Sequence, residues 1–194
     1  MKNLRITFNS PVVLSFVGIC FIATLAGVLT GGVSTQLLFL TWHSSLRSPL
    51  TYLRFFTHVF GHAGWDHFMG NAIYLLLLGP MLEEKYGSEK IIKVIAITAL
   101  ATGLVNYICF PEVGLCGASG IVFAFIILTS FTGFRGGEIP LTFILIAVIF
   151  IGQQVLEGIA IQDNISNMAH IVGGVIGSVI GYKWNRKGKI RPVG

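Results

Sequence analysis

Charge is scarce in this sequence. Of 194 residues 8 are acidic and 13 basic, 11% of the chain, where an average soluble domain carries about 25%. With 54% hydrophobic residues and a mean hydropathy of +0.80, that shortage excludes an ordinary soluble domain. Aspartate is scarcer still: Asp66 and Asp163 alone, both at the edges of apolar blocks. An aspartyl protease working within lipid needs two membrane carboxylates sharing a proton, so that class is excluded. The HExxH pattern, which gives a zinc protease two ligands and a base, is missing as well. His58 and His62 are therefore read as structural hydrogen-bonding groups around a loop, and no metal or cofactor is expected. The three cysteines, Cys20, Cys109 and Cys116, lack metal-binding spacing. Cys109 and Cys116 flank one short loop and are close enough in sequence to pair, but small buried thiols near helix ends are the simpler expectation. Internal repeats and low-complexity tracts are absent, which leaves a single domain over residues 1–194.

What is present is hydrocarbon, in long blocks. Six of them approach the roughly 20 residues that a bilayer core demands: residues 11–31, 65–82, 91–110, 115–134, 139–156 and 165–184. The expected fold is an all-α membrane protein, a bundle of six transmembrane helices. No small-residue cleavage site follows the first block, so it is expected to stay as a helix. Six crossings put both termini on one side. That side holds Lys2, Arg5, Lys85, Lys90, Lys93, Arg135, Lys183, Arg186, Lys187, Lys189 and Arg191, and the other holds Arg47 and Arg54. The positive-inside rule makes the basic side cytoplasmic, with both termini and a short basic tail at about 185–194. The net charge of +5 is then a topology signal; the implied partner is a lipid bilayer and not a nucleic acid. The long connection at 32–64 interleaves Trp42, Tyr52, Phe55 and Phe56 with arginines, a mixture suited to the membrane interface. Glu83 and Glu84 close the second block and read as solvated or helix-capping charges.

Polar side chains inside such blocks call for a functional account, because lipid offers them no partners. The second block opens WDHFMGN, with His67 and Asn71; the fourth carries GASG, with Ser119; the sixth opens ISNMAHIVGG, with His170. All three blocks run from outside to inside, so these residues share the outer half. Counted from Gly114 and Asn164 at ~1.5 Å per residue, Ser119 and His170 lie roughly 7–9 Å into their segments. Asn71 lies one turn below His67 on the same face. Gly173, Gly174, Gly177 and Gly181 share the face of His170 and form a small-residue surface for close helix packing. Pressed against the glycine-flanked start of the fourth block, that face brings His170 toward Ser119, with Phe123 one turn on to pack against the imidazole. A serine hydroxyl needs a base to attack, and a neutral histidine is one. The oxyanion of acyl transfer needs donors, for which His67, the Asn71 amide and the Ser119 N–H are candidates. No acidic residue accompanies His170, so a Ser119/His170 dyad is expected and not a triad.

In LRFFTHVFGHAGWDHFMGN, LEEKYGS, GASG and AHIVGGVIG, in that order over nearly the whole chain, the sequence resembles the rhomboid intramembrane serine proteases of the compact six-helix bacterial type. The resemblance implies a serine endopeptidase that hydrolyses peptide bonds in or beside the transmembrane segments of other membrane proteins. It makes Ser119 the nucleophile, His170 the base, and His67 and Asn71 part of the oxyanion hole. It also implies small residues at the cut, locally unstable substrate helices, and a site in the cell (inner) membrane open to the extracytoplasmic side. The interfacial loop and the fifth block are the elements that would part to admit a substrate. Two positions depart from the family pattern. Its frequent Trp-Arg is Leu53-Arg54 here, which is expected to loosen the interfacial loop, and its frequent tyrosine four residues past the nucleophile is Phe123, which keeps the ring without the hydroxyl. The alternative is an inactive rhomboid-like module that binds membrane clients, against which Ser119 and His170 both speak. A transporter would need charges along a path or helices broken at midplane, whereas the polar groups here crowd one half.

Overall fold

Long apolar blocks in lipid have to satisfy their own backbone N–H and C=O groups, and a helix does so within one segment. The computed structural model describes residues 7–132, 141–160 and 164–186, and in it each block contains a helix. The order is α1 (Pro11–Leu29), a π-helical turn (Thr35–Phe39), α2 (Pro49–Thr57), α3 (Trp65–Tyr86), α4 (Ser88–Cys109), α5 (Ser119–Ser130), α6 (Leu141–Ala160) and α7 (Asn164–Arg186). The all-helical expectation holds. Arg135, Asp163 and the tail beyond Arg186 lie outside the described residues. Among the described residues, α1 and α4 have the length and apolarity to cross a membrane on composition alone, and α5 is a shorter apolar helix. In α3 the apolar run is diluted at its start by Asp66, His67 and Asn71.

The fourth block is where the fold departs from the hydropathy pattern. A helix over 115–134 is expected there, but α5 begins only at Ser119 and ends at Ser130. Leu115 and Thr41 form an antiparallel bridge, exchanging backbone hydrogen bonds of 3.0 and 2.8 Å. Gly117 then takes φ +126°, a conformation outside the helical region that glycine tolerates best. A buried extended turn and a buried helix look alike in composition. The depth of Ser119 counted from Gly114 at a helical rise therefore fails, and Ser119 sits at the helix start itself.

α5 is the hub. Ala118, Ile121, Ala124 and Leu128 are fully buried and Phe125 nearly so. The glycine face of α7 lies directly on it: a Cβ on Gly173 would stand 2.0 Å from the Gly120 carbonyl oxygen, and one on Gly177 2.5 Å from that of Ala124. Backbones this close gain dispersion contacts that larger side chains would forbid, and dispersion is the main attraction between helices in lipid.

Two polar anchors hold the rest. Glu83 is buried and accepts hydrogen bonds from the N–H groups of Val12 and Val13, 3.0 Å each, and from the Ser88 hydroxyl at 2.7 Å. Those two N–H groups belong to the first turn of α1, where no intrahelical partner exists, and Ser10 supplies no side-chain cap. A carboxylate also suits the positive end of the helix dipole. Of the two charges, Glu83 is thus the cap, while Glu84 is exposed. The Leu53-Arg54 departure does not leave the α1–α3 connection unanchored. Arg54 is buried, its Nε donates to the Leu37 carbonyl at 3.0 Å, and its guanidinium lies 4.1 Å from the centre of the Trp42 ring. Thr57 adds a hydroxyl bond to the Leu38 carbonyl.

Close packing at the α5–α7 face predicts a position-specific response to one methyl group. Gly173→Ala is expected to destabilise by about 1–3 kcal/mol, the usual cost of overpacking. Gly18→Ala in α1, where an added Cβ meets nothing within 4 Å, is expected to be neutral or to stabilise by up to about 1 kcal/mol. Unfolding of the detergent-solubilised protein by titration with a denaturing detergent measures both.

Candidate active site

Ser119 is the first residue of α5, behind a loop fixed along most of its length. Leu115 is tied to Thr41; Asn106 Nδ2 donates to the Thr41 carbonyl at 3.2 Å and to the Val113 carbonyl at 3.1 Å. The Gly117 N–H donates to the His58 carbonyl at 2.9 Å, and the Ala118 N–H to His62 Nε2 at 3.4 Å. With those two donors occupied, the N–H groups of Ser119 and Gly120 have no hydrogen-bond partner among the described residues. A helix start leaves such donors free, with positive potential around them.

His67 comes to the loop from α3. Its Cε1 and Nε2 atoms would lie 2.7 and 2.8 Å from a Cβ on Gly117. Glycine is required at this position twice over, for its φ and for the imidazole packed on it. One turn below, Asn71 is buried, and its Nδ2 donates to the His67 carbonyl at 3.1 Å. A carboxamide has two N–H donors, so one remains beyond that bond. On α7, His170 packs its ring against Phe123, with centroids 4.1 Å apart and planes tilted by 38°, so the aromatic contact expected of Phe123 is present.

Ser119, His170, His67 and Asn71 all line one open cavity of about 550 Å³, together with Asp66, Gly70, Tyr74, Val122, Phe123 and Ile126. The arrangement gathers a hydroxyl, two imidazoles, a carboxamide and a helix start around one space. Those are the parts of an acyl-transfer centre.

His58 and His62 have the structural roles expected of them. Thr102 Oγ1 donates to the Thr98 carbonyl at 2.7 Å and lies 3.2 Å from His58 Nε2, which therefore carries the proton of that ring. His62 Nδ1 faces the Phe60 carbonyl at 3.2 Å and must be its protonated nitrogen, which leaves Nε2 to accept from Ala118. His43 stacks on Tyr107 at 4.4 Å with Nδ1 2.9 Å from the Tyr107 carbonyl. Cys20, Cys109 and Cys116 are free thiols in the structure; Cys20 is buried and Cys116 half-buried, whereas Cys109 is exposed and not buried. Among the described residues no three His, Cys, Asp or Glu side chains converge as a metal cage. Sequence reasoning missed the tethers Thr41 and Asn106. Asn106, a carboxamide inside an apolar block, carried a signal; Thr41, which acts through its backbone, carried none.

Residues 49–187 match the Rhomboid domain family, and the chain is a membrane protein that belongs to it. Among its relatives is rhomboid-related protein 1 of Caenorhabditis elegans, 33% identical over 138 residues, 66% of this chain and 39% of that protein. The rhomboid protease GlpG of Salmonella paratyphi A is 27% identical over 170 residues, 84% of this chain and 59% of that protein. GlpG of Yersinia pestis is 24% identical over 187 residues, 94% of this chain and 66% of that protein. The chain thus spans less than two thirds of each of these relatives.

The buried histidines tie stability to pH. Burial pushes His58 from 6.5 down to about 3; burial, reinforced by the neighbouring His67, pushes His62 from 6.5 down to about 4. Between these values and 6.5 the unfolded chain holds more protons than the folded one, so stability rises with pH there. It is expected to be complete above about pH 6.5 and to fall progressively toward pH 4 and below. Thermal unfolding across that range should show the slope, and His62→Gln, which gains no charge, should make it shallower.

Proposed function

We propose that this protein is an intramembrane serine endopeptidase that hydrolyses peptide bonds in or next to the transmembrane segments of other membrane proteins. The observation that carries the reading is the meeting of Ser119, His170, His67 and Asn71 on one open cavity, with Ser119 at the start of α5. In this scheme His170 takes the proton from the Ser119 hydroxyl as the oxygen attacks the scissile carbonyl carbon. The oxyanion that forms is received by the Ser119 N–H and by donors on His67 and Asn71, held in place before the reaction begins. The intermediate collapses, His170 returns the proton to the leaving amine, and the released chain departs. Water, deprotonated by His170, then attacks the acyl-enzyme and frees Ser119. The scheme draws on no metal or cofactor.

The same reading assigns six crossings to α1 and α3–α7, with α2 and the π-helical turn lying at the outer interface. One domain fills residues 1–194, both termini and the tail at about 185–194 face the cytoplasm, and the cavity opens to the extracytoplasmic side of the cell (inner) membrane. The basic residues of the sequence and the exposed Tyr52, Leu53 and Phe56 of α2 support this placement.

Cleavage of a labelled single-span substrate in liposomes tests the chemistry. Ser119→Ala and His170→Ala are each expected to lower the rate by on the order of 10³-fold or more, and His67→Ala or Asn71→Ala by about 10²-fold. EDTA should leave the rate unchanged, and a fluorophosphonate should label Ser119. A wild type that cuts none of several substrates and stays unlabelled overturns the proteolytic reading in favour of a client-binding module.

A further inference from the structure

The cavity that holds Ser119 also holds a carboxylate for which the chemistry above has no use. Asp66 lines it, and among the described residues no lysine or arginine does. Asp66 is exposed. Among the described residues it enters no ion pair, the Lys93–Glu89 pair being elsewhere, and it caps no helix by a side-chain bond. Glu83 shows the contrast, with all its hydrogen bonds spent inside the fold.

The ground beside Asp66 is bare. Gly70 lies one turn further on the same face of α3, and a Cβ added there would meet nothing within 4 Å. Gly70 lines the cavity too, between Asp66 and Tyr74 in sequence. A long aliphatic stem can lie along that strip and carry a cationic head to the carboxylate, the way lysine and arginine cover apolar surface while keeping their charge in water. His67, the neighbour of Asp66, faces the loop that bears Ser119, so a peptide bond held at the serine has its adjacent side chains beside this strip.

We propose that Asp66 is a specificity-determining residue, selecting substrates that carry a lysine or arginine close to the scissile bond. The proposal rests on the proteolytic reading above. A carboxylate in the first turn of α3 also favours the helix dipole. That role alone predicts no dependence on substrate charge, and the experiment separates the two.

The test uses single-span substrates in liposomes, in pairs differing only by lysine against glutamate at one of the three residues on either side of the cut. The readout is the ratio of kcat/KM within each pair, from which the amount of folded enzyme cancels. Wild type is expected to favour lysine about fivefold or more at one position at least, since attraction and repulsion each contribute about two- to fivefold at an exposed pair. Asp66→Asn should bring that ratio to within about twofold of unity, Asp66→Lys should invert it, and about 0.5 M salt should shrink it in the wild type. Binding of the same pairs to Ser119→Ala, with and without Asp66→Asn, gives the ratio of Kd values should a variant turn over slowly. A wild-type ratio near unity at every position, or one that Asp66→Asn and Asp66→Lys leave unmoved, overturns the proposal. A wild type that cuts none of the substrates counts against the protease, whereas a lysine preference in Kd that Asp66→Asn erases still supports the selection.

Discussion

The rest of this molecule depends on how closely α5 and α7 approach. Gly173 stands so near the Gly120 carbonyl that no side chain fits between them. Helices in lipid gain little from burying apolar surface, because the tails are as apolar as the side chains. What holds them is contact, and contact at backbone distance requires residues with no side chain. The same approach determines where His170 can be, since it lies three residues before Gly173 on one face of the helix. The glycine face is therefore both the glue and the ruler of the site.

Around that contact the structure is organised by backbone hydrogen bonds that run between elements. The loop before Ser119 is gripped by Thr41, Asn106, His58 and His62, each from a segment other than α5. Three of its N–H donors, on Leu115, Gly117 and Ala118, are consumed by this grip, and the two that follow, on Ser119 and Gly120, are left over at the helix start. A preorganised donor pair results from where the tethering stops. In the proposed reaction, a loop held in place in advance leaves little reorganisation to be done as charge develops nearby.

Much of this was legible in the sequence, for a definite reason. Ser119, His170, His67 and Asn71 stand out because a polar group inside an apolar block has to be satisfied or used, and the small-residue spacing of α7 showed which face it presses on a neighbour. The start of α5 was not legible. Leu115 and Cys116 are as apolar in a tethered turn as in a helix, and what stops the helix is a positive φ at Gly117 together with a bridge to Thr41, 74 positions upstream. Nor was the choice between Glu83 and Glu84 legible, because the cap is chosen by which carboxylate faces α1 after folding. Trp42 over Arg54 is a similar case. The family's sequence pattern places the tryptophan next to the arginine, and here a ring twelve residues upstream meets the guanidinium in space.

The contact between Glu83 and the start of α1 also bears on how the protein is made. Val12 and Val13 leave the ribosome well before the carboxylate that satisfies them, which lies about 70 residues later, and the Ser88 hydroxyl that holds the carboxylate follows it. Until that stretch has been synthesised and α3 has come to lie beside α1, the first turn of α1 must rely on water or headgroups for its N–H groups. Its final position is thus set retroactively. The first turn of α1 is completed by a helix that is made after it.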